Sequence, residues 1–183
     1  MRALVVYESR VGATHEVAER IARGLAQSVA VAVVPVGAAA AARAGVDLVV
    51  VGAPTHMHGR PTRWTRALAE KAALDRSAHL AFETEGSVEV DGDWLADGDP
   101  GRRLAAAFDT RLDAAWSGQA SRAIARRLRH HGFRLVADPA SFLIGPDDRL
   151  VEGEESRAVA WGQWLATQMT TQMAAGLAQP VAT

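Results

Sequence analysis

Ala3-Leu4-Val5-Val6-Tyr7-Glu8-Ser9-Arg10-Val11-Gly12-Ala13-Thr14 is the stretch that decides the fold. Residues 3–7 form a short apolar, β-branched run, the pattern of a strand buried on both faces. A Gly-containing turn follows at Glu8–Thr14. Beyond it Val17, Ile21 and Leu25 recur at helical spacing, with Ala18 and Ala22 widening the same face. Strand, tight loop and amphipathic helix open a βαβ unit, and the rest of the chain repeats the alternation.

Val29–Val36 reads as a second strand and Asp47–Val51 as a third, closed by Gly52-Ala53-Pro54 because proline cannot donate to an interior ladder. Arg63–Ala73 reads as a helix and Leu104–Phe108 as a fourth strand. Ala120, Ile124 and Leu128 make one helical stripe, which Gly132 stops. Phe133–Val136 and Ser141–Ile144 flank Asp138-Pro139 and read as a fifth strand bent or interrupted at the proline. Glu154–Gln168 closes the fold as a helix with Ala158 or Val159, Trp161 and Leu165 inward. The expectation is one α/β domain over residues 1–168, three-layer α/β/α and doubly wound around a five-stranded parallel sheet, with 169–183 a frayed tail. Residues 74–103 are longer than an ordinary connection and carry Glu83, Glu85, Glu89, Asp91, Asp93, Asp97 and Asp99 with no basic residue between them. They read as a solvated excursion with one short helix near Trp94-Leu95.

Composition narrows the function. The chain has 183 residues, net charge −1 and no cysteine, which excludes disulfides, thiolate metal sites and cysteine nucleophiles. Near-neutrality gives no global pull toward nucleic acid or an anionic membrane, and no apolar run reaches membrane-spanning length. A cytoplasmic protein is the expectation. His56 and His58 alternate in a loop without nearby acidic ligands, so no metal site is expected. No Gly-x-Ser-x-Gly elbow is present, and Gly52 and Ala53 stand where a phospho-acceptor aspartate of a receiver domain would be needed. The arginines of residues 118–131 read as a solvated helix face.

In a doubly wound sheet, ligands bind outside the carboxyl ends of the strands. The loop after the first strand suits a phosphate: Gly12 lets backbone N–H groups turn inward, the helix N-terminus adds positive potential, and Ser9 and Thr14 offer hydroxyls. It has neither the lysine of a P-loop nor the three-glycine dinucleotide fingerprint.

Tyr7–Thr14, followed by His15-Glu16-Val17-Ala18-Glu19-Arg20-Ile21-Ala22, resembles the phosphate loop and first helix of the flavodoxin family. Ser9, Gly12 and Thr14 match that loop, and Val11 replaces a residue that usually carries a hydroxyl, leaving backbone donors at Val11, Gly12 and Ala13. Val49-Val50-Val51-Gly52-Ala53-Pro54-Thr55-His56-Met57-His58-Gly59 resembles the strand and flavin-contacting loop of actinobacterial flavodoxin-like proteins. Phe108-Asp109-Thr110-Arg111 through Trp116-Ser117-Gly118 falls where the family's other flavin loop cups the pyrimidine.

The resemblance implies the strand order 2-1-3-4-5 and non-covalently bound FMN. It implies contacts from Ser9, Arg10, Val11, Gly12, Ala13 and Thr14, then Pro54, Thr55, His56, Met57, His58 and Gly59, then Asp109, Thr110, Arg111, Trp116, Ser117 and Gly118. Trp116 is expected on the outer flavin face, and Arg111 near the ring edge that becomes anionic on reduction. The implied role is electron transfer, or a small flavin-dependent oxidoreductase, with a redox protein or a small-molecule donor or acceptor as partner. The alternative is a flavodoxin-fold binding domain that keeps no flavin. No residue is expected to act as catalytic acid, base or nucleophile.

Overall fold

The computed structural model describes residues 1–8, 12–55, 103–112 and 120–177. The chain order is β1 (Arg2–Tyr7), α1 (Ala13–Leu25), β2 (Ala30–Pro35), a 3-10 turn (Val36–Ala38), α2 (Ala39–Ala42), β3 (Leu48–Pro54), β4 (Leu104–Leu112), α3 (Ala120–His130), β5 (Arg134–Leu135), β6 (Ala140–Ile144) and α4 (Glu154–Leu177). All the strand pairs are parallel, and the sheet runs β2-β1-β3-β4-β5 with β6 also on β4. The expected order is thus the observed one. The expected helix at 63–73 and all but Arg103 of the expected excursion at 74–103 lie outside the described residues.

The interrupted fifth strand has a simple register. Ala105 pairs with Leu135 and Phe108 with Ala140, so β4 advances three residues while its neighbour advances five. The two extra residues are accommodated around Asp138-Pro139, where proline could not have donated to β4.

Alternation along the central strands divides the core into two layers. Ala3, Val5, Leu48, Val50, Leu104, Ala106 and Phe108 face α1 and α4, meeting Val17, Ile21, Leu25, Ala158, Leu165 and Met169. Leu4, Val6, Val49, Val51, Ala105 and Ala107 face the other way, onto Ala39, Ile124, Ala125, Leu128 and Phe133. Gly132, at φ +81°, ends α3: its N–H donates to Arg129 O and the Phe133 N–H to Leu128 O, both at 3.0 Å.

Three boundaries differ from the sequence expectation. β3 continues to Pro54, because by then β1 has ended and the missing N–H interrupts no ladder on that side. β4 continues from Phe108 to Leu112, because β3 supports it through Thr110 on one edge and β6 through Leu112 on the other. Asp109, Thr110 and Arg111 therefore lie on a strand and not in a loop. α4 does not fray at 169. It runs to Leu177, with Met169 fully buried and Met173 packed against the core.

Candidate functional site

The carboxyl ends of β1, β3 and β4 meet the N-termini of α1 and α3. The first connection leaves β1 at Tyr7, and the Glu8 N–H donates to Gly52 O at 2.9 Å, tying its start to β3. Gly12 precedes α1 at φ +100°, and among the described residues nothing lies within 4 Å of where a Cβ would stand. That backbone conformation is strained for any side chain, which suits glycine to the turn into the helix. Gly12 has no side chain with which to cap α1, and a helix N-terminus of this kind carries backbone N–H donors and partial positive charge.

Thr14, in the first turn of α1, is buried, and its Oγ1 lies 2.7 Å from Thr110 Oγ1 of β4. Each hydroxyl both donates and accepts, so the pair retains hydrogen-bonding capacity toward a third group. On the opposite side of the sheet, Asp109 is fully buried. Its Oδ2 accepts from the Thr55 hydroxyl at 3.1 Å and from the Ser121 N–H at 2.8 Å. Thr55 Oγ1 also accepts from the Ala120 N–H at 3.0 Å, and the Thr55 N–H donates to Thr110 O at 2.8 Å. Asp109 thus closes a ring of contacts between the end of β3, β4 and the start of α3, where its negative charge complements the helix N-terminus. Asp109 Oδ1 and Ser121 Oγ are buried without hydrogen-bond partners among the described residues.

At the rim, the Tyr7 and His15 rings stack with centroids 4.6 Å apart and planes inclined by 27°. His15 Nε2 lies 3.4 Å from Glu19 Oε1. Beneath the site, Phe108 meets Phe142 and Trp161 edge-on, with centroids 6.1 and 6.4 Å away. A Cβ on Gly52 would come within 2.0 Å of the Phe108 ring, so glycine there admits the aromatic cluster under β3.

Of the residues singled out in the sequence, Gly12, Ala13, Thr14, Pro54, Thr55, Asp109, Thr110 and Arg111 are described, and all stand at this end of the sheet. Ser9, Arg10, Val11, His56, Met57, His58, Gly59, Trp116, Ser117 and Gly118 lie outside the described residues. Arg111 shares the strand face of Asp109, two residues on, and is half-buried. The sequence reading missed Ser121 and the N-terminus of α3 as partners of Asp109. A serine opening a helix after Gly118 was the available signal. Among the described residues no cluster of three or more histidines or carboxylates could hold a metal ion, and no helix is long and apolar enough to cross a membrane.

Residues 4–84 match the family described as "Flavodoxin domain". None of the curated proteins matches this sequence significantly. Among solved structures, a flavodoxin from the domain Archaea is 22% identical, with a TM-score of 0.63, over 93% of this chain and 99% of that one. Oxidised Flavodoxin 1 from Bacillus cereus is 15% identical, with a TM-score of 0.60, over 93% and 98%. The Flv1 flavodiiron core from Synechocystis sp. is 20% identical, with a TM-score of 0.63, over 94% of this chain but 36% of that one. At these identities the structural likeness speaks for the fold. The chain is flavodoxin-like, having the flavodoxin fold with residues 4–84 matching the flavodoxin domain family.

Proposed function

We propose that this chain binds FMN non-covalently and serves in electron transfer or as a small flavin-dependent oxidoreductase. In this reading it works in the cytoplasm, with a redox protein or a small-molecule donor or acceptor as partner. The observation that carries the reading is the N-terminus of α1, preceded by Gly12 at φ +100° and flanked by the buried Thr14–Thr110 hydroxyl pair. That combination fits a phosphate monoester: backbone donors, helix-end potential and hydroxyl groups stand at one end of the sheet.

Ser9, Thr14 and the N–H groups of Val11, Gly12 and Ala13 would hold the phosphate. Thr55, His56 and Met57 would line one side of the ring and Trp116 the other. Asp109 would act through Thr55 and α3, fixing where the two ring-side connections leave the sheet. Arg111 would offer a cation to the ring edge that gains negative charge on reduction. Bound FMN supplies one- and two-electron redox chemistry, and the protein supplies binding and electrostatic tuning.

The loop offers one phosphate cradle and no second dinucleotide fingerprint, which favours FMN over FAD. The test is to purify the full chain, add excess FMN or FAD, desalt, and record the visible spectrum with chromatography of the released chromophore. Retained FMN at about one per chain supports the reading. Preferential retention of FAD would overturn the choice of cofactor. Retention of neither would leave the alternative, a flavodoxin-fold binding domain without flavin.

A further inference from the structure

Between Asp113 and Asp138 the chain has five arginines, two histidines and no carboxylate. Most of these cations lie on α3, which buries Ser121, Ile124, Ala125 and Leu128 and turns Arg122, Arg126 and Arg129 to solvent. Those three follow one another at spacings of four and three residues, so they form a single stripe about 10 Å long. His130 continues it at the helix end and Arg134 follows on β5, both exposed.

Several other exposed or half-buried arginines are neutralised by the chain itself. Arg20 pairs with Glu16 at 3.2 Å and with Glu155 at 2.7 Å, Arg149 with Asp147 at 4.0 Å, and Arg157 with Glu154. Arg122, Arg126 and Arg129 make no ion pair or hydrogen bond among the described residues. Three like charges along one helix stripe repel one another, and only Arg129, in the last turn, gains from the helix dipole. A side chain needed only for solubility would be served equally by mixed charge.

We infer that the Arg122–Arg126–Arg129 face of α3 docks a partner protein that presents an acidic helix or loop, with carboxylates spaced about one helical turn apart. The occupant follows from charge complementarity: planar guanidinium groups suit paired carboxylates, and an acidic surface would neutralise a row that has no carboxylate partner among the described residues. Nucleic acid fits less well. The net charge of −1 adds no long-range attraction to a polyanion, and α3 carries no Phe, Tyr or Trp for a base to stack on. Position gives the face a use. The N-terminus of α3 is bonded to Asp109 and Thr55, so a protein seated on the stripe lies within one helix length, about 16 Å, of the candidate site. The face stands whether or not FMN binds.

The test titrates the full chain with 50-residue poly-L-glutamate and with a 20-base-pair DNA duplex, at 20 and 200 mM NaCl. Wild type is compared with the triple variant Arg122→Gln, Arg126→Gln, Arg129→Gln, and circular dichroism and the urea midpoint serve as folding controls. The expected result is poly-glutamate binding at low salt, weakened at least tenfold by the higher salt and at least tenfold by the triple variant. DNA should bind no more tightly than poly-glutamate. No binding of poly-glutamate, or binding that the triple variant leaves unchanged, would overturn the inference. DNA binding tenfold more tightly through the same arginines would overturn it in favour of a nucleic-acid surface.

Discussion

Thr14 and Thr110, ninety-six residues apart in the chain, join hydroxyls at 2.7 Å in a buried contact between the first turn of α1 and the end of β4. Replacing Thr110 with Val preserves shape but leaves the Thr14 hydroxyl without that partner. We expect a loss of about 1–2 kcal/mol in urea unfolding. The double variant Thr14→Val, Thr110→Val should recover part of that loss, because removing both polar groups removes the unsatisfied one. A double variant whose loss equals the sum of the two single losses would show that the hydroxyls do not act as a pair.

Asp109→Ala removes the shared acceptor of the Thr55 hydroxyl and the Ser121 N–H. The expected destabilisation is about 2–4 kcal/mol, since one buried and one partly buried donor lose their partner and α3 loses a charge at its N-terminus. Amide exchange should quicken at Ser121 more than at Ile21 on the other side of the sheet. Equal acceleration at both would mean that Asp109 holds the whole fold and not this junction.

Gly24 of α1 and Gly162 of α4 bring two helix backbones together. A Cβ on Gly24 would stand 2.1 Å from Val159 O, and one on Gly162 would stand 2.1 Å from Ile21 O. Alanine normally favours a helix over glycine by about 1 kcal/mol, yet here backbone would have to move. Gly24→Ala and Gly162→Ala should each lower stability by roughly 2 kcal/mol. A gain in stability from either would mean that the helices are further apart than described.

Glu154 ties the start of α4 to β6, accepting from the Leu143 N–H at 2.9 Å and from Arg157 Nε at 2.9 Å. Burial pushes its pKa up, but the hydrogen bonds from Arg157 and Leu143 and the Arg157 charge outweigh that, leaving it below the ordinary 4.5. A depressed folded-state pKa means that the stabilisation is complete above the unfolded value and is lost as pH falls through the folded one. Glu154→Gln should cost about 1 kcal/mol at pH 7, and the gap to wild type should shrink below about pH 4. Urea midpoints at pH 7, 5 and 3.5 measure this, and a gap that widens on acidification would contradict the assignment.

Where each strand is apolar on both faces, as at Leu4–Val6 and Val49–Val51, period and burial agree and the sequence is easily read. The end of β4 is not so easily read. Asp109-Thr110-Arg111 has loop-like polarity, and only pairing to both β3 and β6 keeps it extended. The capping role of Asp109 depends on an N–H twelve residues away, which local pattern does not contain. The tail of α4 was legible in principle, since Leu165, Met169 and Met173 continue one stripe at i+4 spacing. The Thr- and Gln-rich residues between them obscured it. The chemistry-bearing positions at the strand ends were visible because three loops of a doubly wound sheet must meet there.

Titration of the full chain with FMN, followed by quenching of flavin fluorescence, tests the central claim most directly when wild type is set beside Gly12→Val. The side chain forces Gly12 out of φ +100° and fills the approach to α1, which should cost at least tenfold in FMN affinity while the far-ultraviolet circular dichroism stays unchanged. Saturable binding of one FMN per wild-type chain, with that loss in the variant, is the predicted result. A folded wild-type chain that does not quench FMN at all, or a variant that binds it as tightly as wild type, would contradict the account.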